Sequence, residues 1–355
     1  MAEAPLPGRA TAAATRAFAA RVGPRVVRDH FREPRGSGLA LSSIGIGTYL
    51  GAPDDATDAL YREALLEAFA LGVNVVDAAV SYRAQRSERT IGRAIREAIR
   101  TGLLKRREEI VVATKGGFVP FDSTRPKDPD AWIRDTYVRP GIVLPGDLVA
   151  GCHSIAPGYL RDQIARSRSN LGLETIDVYF LHNPETQLEE VPRAEFLDRL
   201  RRAFETLEAA CDAGHLAAYG TATWGGYRAP KSAREHLSLS EHLAIARGLR
   251  GDGHRFRFVE LPFNASMTEA RDLANQEGPG GRAVPFLEAA AAAGIHVFTS
   301  ASIDQARLAR KGGAQGRTGA QAALEFVRTA AGVGTALVGM KSAAHVRENL
   351  AVVRP

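Results

Sequence analysis

Four side chains that can bind or donate protons follow three apolar stretches of the chain. Asp77 ends the run NVV, with Tyr82 five residues later, Lys115 ends EEIVVAT, and His182 ends TIDVYFL. A free tyrosine has a pKa of about 10, but a nearby lysine ammonium favours the phenolate and lowers that pKa. An aspartate would keep the lysine charged, and a neutral imidazole can donate a hydrogen bond to a carbonyl oxygen. These residue types therefore suit proton delivery to a polarised carbonyl.

This set of residues supplies no nucleophile and no electron source. A carbonyl polarised in this way needs a hydride, which a nicotinamide cofactor carries. Barrel metallohydrolases, the alternative enzyme class, need ligand clusters such as His-x-His, and none of the nine histidines has that spacing. Cys152 and His153 are the one adjacent Cys/His pair, and with Cys211 far away they cannot build a metal site. We therefore predict nicotinamide chemistry and no metal.

Strand and helix patterns alternate along the chain in a way that would bring these side chains to one rim. Apolar residues at helical spacing fill 57–71, the strand ending at Asp77 follows at once, and Arg86–Arg100 is the next helix, with Ser87 as its amino-terminal cap. Eight such units favour a closed (β/α)8 TIM barrel of the α/β class over an open doubly wound sheet. Later helices are predicted at 158–171, 194–213, 230–249, 282–293 and 317–331, and strands at 110–114, 176–181, 216–220, 257–262, 295–299 and 335–338.

Two segments lie outside this alternation. Residues 1–24 are rich in Ala and Arg, which can mark an organellar presequence, but without a cleavage-like boundary we predict a short helix packed on the barrel. A hairpin with its turn at 35–37 then leads into the barrel domain, 25–355. Residues 118–157 have no clear periodicity, and connections this long are usually functional or disordered. We predict a lid over the barrel mouth, with a packed loop away from the substrate as the alternative.

Length, composition and charge exclude several classes of protein. The 355 residues, 45% of them hydrophobic, suit one barrel of about 250 residues plus insertions. The net charge of +6 comes from Arg and Lys scattered among acids, so we predict no nucleic-acid partner. No apolar run approaches the roughly 20 residues of a membrane helix. Two cysteines cannot form a disulfide framework, so a cytoplasmic location is expected.

Six short motifs lie between residues 45 and 350. They are GIGTYLG at 45–51, VDAAVSY ending at Tyr82, SERTIG at 87–92, ATKGG at 113–117, DVYFLHNP at 177–184 and GMKSAAHVRENL at 339–350. In these motifs and in their order, the chain resembles the aldo-keto reductase superfamily. The resemblance implies the barrel fold and NAD(P)H-dependent reduction of an aldehyde or ketone to an alcohol. It also implies that Tyr82 is the general acid, that Asp77 and Lys115 tune it, and that His182 orients the carbonyl.

The resemblance also implies a site for NADP, with NAD as the alternative cofactor. Family members hold the dinucleotide with the turns after the last two strands, here 300–319 and 339–350. The residues assigned to the cofactor are Thr48, Asp77, Asn183, Ala222, Thr223, Glu260, Ser302, Gln305, Arg307, Arg310, Lys311, Met340, Lys341, Ser342, His345, Glu348 and Asn349.

Several positions depart from the family pattern. Ala222 and Thr223 replace a common Ser-Asn pair, and Glu260 replaces a glutamine that holds the nicotinamide amide. Ser300 replaces a frequent stacking aromatic residue, and His345 stands where an arginine often pairs with the 2′-phosphate. Imidazole is a weaker, pH-dependent partner. A regulatory protein that binds the cofactor without reducing a substrate is therefore the alternative function.

The predicted substrate is a small-molecule carbonyl compound. Because family members that reduce an alkene carry an acid at position 182, His182 favours reduction of a C=O bond. The predicted substrate pocket is large and has an apolar wall, which suits an aromatic or bulky carbonyl compound. It consists of Tyr49, Val80, Ser81, Phe118, Trp132, Tyr137 and Trp224.

Overall fold

A closed barrel of eight parallel strands forms the centre of the computed structural model, which describes residues 4–310 and 316–355. Each strand pairs with the next along the chain, and the eighth pairs with the first. The predicted (β/α)8 architecture is therefore confirmed. The strands are β1 Ile44–Gly47, β2 Val75–Asp77, β3 Val111–Gly116, β4 Ile176–His182, β5 Leu216–Ala222, β6 Phe256–Pro262, β7 His296–Ser300 and β8 Val333–Gly339.

Helices return the chain from one strand to the next and pack their apolar faces against the barrel. In the described part of the chain, no helix is long and apolar enough to cross a membrane. The helices are α1 Ala12–Val22, α2 Asp55–Ala70, α3 Arg86–Arg100, α4 Pro129–Ile133, α5 Pro157–Leu171, α6 Arg193–Asp212, α7 Leu239–Arg250, α8 Glu269–Asp272, α9 Phe286–Ala293, α10 Gly319–Arg328 and α11 Ala343–Leu350.

Two helix starts and one helix cap differ clearly from the predictions. Helix α7 begins at Leu239 rather than 230, because the Ser238 hydroxyl accepts a hydrogen bond from the Glu241 amide and caps the helix there. Helix α9 begins after Pro285, because residues 283–284 instead pair with 276–277 as a short antiparallel ladder. Ser87 does not cap α3, since Gln85 occupies the cap position in a left-handed conformation.

Side chains that alternate along the strands form two layers of the hydrophobic core, one inside the barrel and one between the sheet and the helices. Val111 and Ala113 point into the barrel, whereas Val112 packs between the sheet and the helices. Because side chains alternate with a period of two, the next inward residue on β3 is Lys115. On β2 the inward-pointing side chains are likewise Val75 and then Asp77. The inward-pointing side chains of β4 end with His182, and those of β6 end with Glu260.

The amino-terminal segment closes the opposite end of the barrel. The backbone of Ala10 donates to Asp177 Oδ1 at 2.6 Å, and the guanidinium of Arg107 donates to Asp177 Oδ2 at 2.6 Å. A hairpin pairs Phe31–Arg32 with Leu41–Ser42, and its turn lies at 35–37 as predicted. These contacts cover the barrel floor, so the rim formed by the carboxyl ends is the accessible end.

The 118–157 insertion packs mainly on itself and on α5. Tyr137 is fully buried, and its ring meets that of Tyr159 edge-on at 5.7 Å. Val119 and Val143 complete this small core. Among the described side chains of the insertion, Phe118 alone lines the large cavity at the barrel mouth. The expected lid is thus a packed loop over most of its length, because α5 offers it an apolar surface.

Candidate active site

A cavity of about 990 Å³ lies at the carboxyl ends of the strands. One end is lined by Asp77, Tyr82 and His182, and the other by residues of the loops after β7 and β8. Lys115 lies beneath the first end, with only 1% of its side chain exposed. The structure thus brings together the four side chains that the sequence singled out for proton transfer.

Lys115 is the centre of this group. Its ammonium donates to Asp77 Oδ1 and to the Ala78 carbonyl at 3.0 Å, and lies 5.1 Å from the centre of the Tyr82 ring. Burial disfavours its charged form, but Asp77 and Glu260 outweigh that effect and raise the pKa of Lys115. Lys115 therefore stays charged at neutral pH.

Tyr82 is a neutral phenol in this environment. Burial raises the pKa of Tyr82, Lys115 lowers it, and the carboxylates of Asp77 and Glu260 raise it again. The net direction is upward, so the effect of lysine that the sequence predicted is present but outweighed by burial. Tyr82 therefore keeps its hydroxyl proton at neutral pH.

Three residues in the left-handed conformation follow Tyr82 directly. Arg83, Ala84 and Gln85 have φ angles of 49°, 52° and 69°. Such angles are costly for residues other than glycine and persist only where packing enforces them. The buried guanidinium of Arg83 donates to Asp58 Oδ1 at 2.6 Å, and the Gln85 amide donates to the Phe121 carbonyl at 2.9 Å. These anchors position the phenol.

His182 is neutral and lies beside the phenol. Its ring centre is 5.9 Å from that of Tyr82, and 5.1 Å from that of Phe118. Burial lowers the pKa of His182 well below its ordinary value, and Lys115 and His153 lower it further. Its Nδ1 has no hydrogen-bond partner among the described residues. A neutral imidazole can donate one hydrogen bond and accept another.

His153 of the insertion fixes the end of β4. The Gln187 amide nitrogen can only donate, so at 2.9 Å it makes His153 Nδ1 the acceptor. His153 Nε2 then donates to the His182 carbonyl at 2.7 Å. The sequence indicated His153 only as part of a Cys/His pair, since nothing local marks a side chain that bonds to a distant backbone.

Gly117 leaves the space that this contact needs. A Cβ at position 117 would lie 2.7 Å from the His182 carbonyl oxygen and 2.9 Å from His153 Nε2. We expect Gly117→Ala to lower stability by about 1–3 kcal/mol through overpacking, and to lower turnover by shifting His182. Thermal unfolding and kinetics measure both effects. Gly146→Ala is the matched control, because a Cβ at position 146 would have no described atom within 4 Å. Equal behaviour of the two variants would contradict this account.

Most of the residues assigned to the cofactor line the cavity, and four do not. Thr48 lies beneath it and donates to the Asp77 carbonyl at 2.8 Å, Met340 is fully buried, and Ser342 caps α11. The Arg307 side chain is 69% exposed outside the cavity. Lys311 lies outside the described residues. The lining residues are Asp77, Asn183, Ala222, Thr223, Glu260, Ser302, Gln305, Arg310, Lys341, His345, Glu348 and Asn349.

The predicted substrate wall needs correction. Tyr49, Ser81, Phe118 and Trp224 line the cavity, but Val80, Trp132 and Tyr137 do not. Val80 is buried and its backbone donates to the Lys115 carbonyl at 3.1 Å. The Trp132 indole donates to the Pro120 carbonyl at 3.3 Å, and Tyr137 belongs to the core of the insertion. The apolar lining residues that the sequence did not indicate are Leu50, Ala301, Ile303, Ala306, Ala309, Ala320, Leu337 and Val338.

Glu185 was also not indicated by the sequence. Its Oε1 accepts hydrogen bonds from the backbone of Trp224, Gly225 and Gly226 at 2.8, 3.1 and 3.2 Å. It therefore holds the loop that carries Trp224 against the cavity. Within the described residues, no three His, Cys, Asp or Glu side chains form a group that could hold a metal ion.

Comparisons with known proteins agree with this architecture. The model described as "Aldo/keto reductase family" matches residues 43–238. The (1S)-1,7-diacetoxy-luvungin A aldo-keto reductase of Citrus sinensis is 28% identical over 159 residues, 44% of this chain and 37% of its own length. NADH-specific methylglyoxal reductase of Escherichia coli (strain K12) is 28% identical over 149 residues, 41% of this chain and 39% of its own. NADPH-dependent codeinone reductase 1-4 of Papaver somniferum is 27% identical over 150 residues, 42% of this chain and 34% of its own. The match thus spans less than two fifths of each relative.

Solved structures share the fold over most of the chain. An aldo/keto reductase from Klebsiella pneumoniae in complex with NADP and acetate has a TM-score of 0.59 at 18% identity, covering 92% of this chain and 89% of its own. A glycerol dehydrogenase from Gluconobacter oxydans has a TM-score of 0.63 at 17% identity, covering 92% and 90%. Because the family model matches more than half of the sequence and the barrel agrees with it, this protein belongs to the aldo/keto reductase family.

Proposed function

We propose that this protein reduces an aldehyde or ketone to an alcohol with a hydride from NADPH, and that Tyr82 is the general acid. The observation that carries the proposal is the convergence of Tyr82, Lys115, Asp77 and His182 at one end of a large cavity. A charged lysine beside a neutral phenol, with a neutral imidazole nearby, suits proton delivery to a carbonyl oxygen.

The cavity fits a dinucleotide. Its volume of about 990 Å³ is at the upper end of the range for small-molecule sites. Arg310, Lys341 and His345 bring basic groups to the end away from Tyr82, where α11 also presents its amino terminus. Helix amino termini and basic side chains both favour phosphate groups. Glu260 also lines the cavity, and a carboxyl group there can accept a hydrogen bond from the NH2 group of a carboxamide.

The residues around Tyr82 have complementary roles in the proposed reaction. When bound, the nicotinamide supplies the hydride to the carbonyl carbon. The Tyr82 hydroxyl gives its proton to the carbonyl oxygen, and the Lys115 ammonium stabilises the resulting phenolate. Asp77 keeps Lys115 charged and in position. His182, held neutral by burial, donates a hydrogen bond that orients the oxygen.

The test is a reductase assay of the purified protein. We expect oxidation of NADPH with formation of the alcohol from at least one member of a broad panel that includes bulky aromatic aldehydes and ketones. The companion measurement is direct titration with NADP⁺. Tight NADP⁺ binding without turnover of any carbonyl would favour the regulatory alternative, and absence of binding would overturn both functions.

NADP⁺ is expected to bind more tightly than NAD⁺. Lys341 lies at the basic end of the cavity, and a charge-assisted bond to the 2′-phosphate would supply the preference. Lys341→Ala should weaken NADP⁺ binding roughly tenfold, which is about 1.4 kcal/mol, and leave NAD⁺ binding unchanged. Isothermal titration calorimetry measures both. Lys105→Ala, at an exposed position before β3, is the control. Tighter binding of NAD⁺ than of NADP⁺ to the unmodified protein would disprove the preference.

A further inference from the structure

Two carboxylates, rather than one, face Lys115. Asp77 accepts a hydrogen bond from its ammonium, and Glu260 Oε2 lies 3.2 Å from the same nitrogen. The Glu260 side chain is 7% exposed. Although it lines the cavity, its Oε2 has no partner with hydrogen-bond geometry among the described residues. Lys115 and Glu260 therefore meet as a buried ion pair through this oxygen.

The charges around Glu260 do not balance. The titratable groups that face it are Asp77 on β2, Tyr82 after β2 and Lys115 on β3. His182 on β4 is neutral, and the strands that flank β6 end in Ala222 and Ser300, which do not titrate. Two carboxylates with one ammonium leave a net negative charge in a buried site, which is costly. Uptake of one proton removes that cost.

The direction of titration agrees with this geometry. Burial, and then the neighbouring Asp77 carboxylate, raise the pKa of Glu260 to about 8, against the opposing effect of Lys115. The Glu260 carboxylate is also one of the charges that raise the pKa of Tyr82. Protonation of residue 260 therefore makes the phenol a stronger acid.

We propose that Glu260 is a positioning residue that carries a proton in the active enzyme and controls the acidity of Tyr82 through their shared neighbour Lys115. The inference rests on the proposed carbonyl reduction. When Glu260 is neutral, the Lys115 ammonium interacts only with the Asp77 carboxylate and the developing Tyr82 phenolate. With Glu260 ionised, the carboxylate competes for the ammonium and adds negative charge beside the phenol, so proton donation becomes harder.

The expected signature is a pH profile. Turnover of carbonyl reduction by the unmodified enzyme should fall by roughly an order of magnitude between pH 7 and pH 9.5 as Glu260 ionises. Glu260→Gln removes the ionisation, so its turnover should stay within about twofold of its pH 7 value over the same range. A purely structural role for Glu260 would lower turnover equally at all pH values. An unchanged falling limb in Glu260→Gln would overturn the proposal.

The matched control is Glu88→Gln. Glu88 is also a fully buried carboxylate whose pKa is raised by burial, but it bonds to Thr114, on the other face of β3 from Lys115. Its replacement should leave the falling limb in place. Loss of that limb in Glu88→Gln as well would assign it to general destabilisation and overturn the proposal.

A second measurement separates this inference from the proposed function. Difference infrared spectroscopy of the unmodified protein should show a protonated carboxyl band that disappears as the pH rises through about 8. The band should be missing from Glu260→Gln and present in Glu88→Gln. This readout needs no turnover, so it remains decisive if the protein reduces no carbonyl in the panel. Absence of a titrating band in the unmodified protein would overturn the protonated state of Glu260.

Discussion

Tyr82→Phe is expected to lower the turnover of carbonyl reduction by roughly 10²- to 10⁴-fold, the usual contribution of a general acid. The affinity for NADP⁺ should stay unchanged. The variant loses the hydroxyl that would deliver the proton at neutral pH. It keeps the aromatic ring that lies 5.0 Å from the Tyr49 ring and 5.1 Å from the Lys115 ammonium. Steady-state kinetics with NADPH, together with titration of NADP⁺, measures both expectations.

Tyr49→Phe is the control for this experiment. Tyr49 lies against Tyr82 at the rim of the cavity, but it is 63% exposed and has no contact with Lys115 or Asp77 among the described interactions. Loss of the Tyr49 hydroxyl should change the turnover by no more than a few-fold. Full activity of Tyr82→Phe would remove Tyr82 from the mechanism, and equal losses in the two variants would point to a disturbed rim.

Lys115→Met should remove activity and lower the free energy of unfolding by about 3–5 kcal/mol at pH 8, the usual cost of removing one partner of a buried ion pair. Methionine keeps the length of the side chain and removes its charge. Asp77 and Glu260 would then be buried without a cation. Burial is the largest cause that raises the pKa of both carboxyls, and the loss of Lys115 removes the effect that opposes it.

The pH dependence of this loss follows from the direction of those shifts. A carboxyl whose pKa is raised in the folded protein binds more protons folded than unfolded, so stability decreases as pH rises toward the folded pKa. Lys115→Met should therefore be closest to the unmodified protein near pH 5 and furthest from it at pH 8. Denaturant unfolding at the two pH values measures the difference. Adding Asp77→Asn should restore part of the stability at pH 8, and an equal loss at both pH values would contradict the account.

The orientation of a side chain can be predicted from the sequence where neighbouring residues set it. Asp77, Lys115 and His182 each follow an apolar run, and alternation along a strand decides which way the last residue points. Glu260 was identified only through the family resemblance, as a cofactor contact. Its distance of 3.2 Å from Lys115 joins β6 to β3, which are not neighbours in the barrel. A local pattern contains no information about such a distance.

The insertion illustrates the same limit. Its length and its position after β3 predicted a lid over the barrel mouth, but Tyr137 packs against Tyr159 of α5 and does not line the cavity. His153, from the same segment, bonds to the backbone of His182. Both outcomes depend on which apolar surface and which unpaired carbonyl lie within reach once the barrel has closed.

The amino-acid sequence by itself determined the barrel of eight strand and helix units and the inward direction of Asp77, Lys115 and His182, because periodicity and strand alternation act between residues close in the chain. Only the tertiary structure decided that two carboxylates share one ammonium, that Tyr82 is held neutral by burial, and that Tyr137 of the insertion packs against α5 instead of lining the cavity. Charge coupling and desolvation depend on distances between strands far apart in sequence, and closure of the barrel sets those distances.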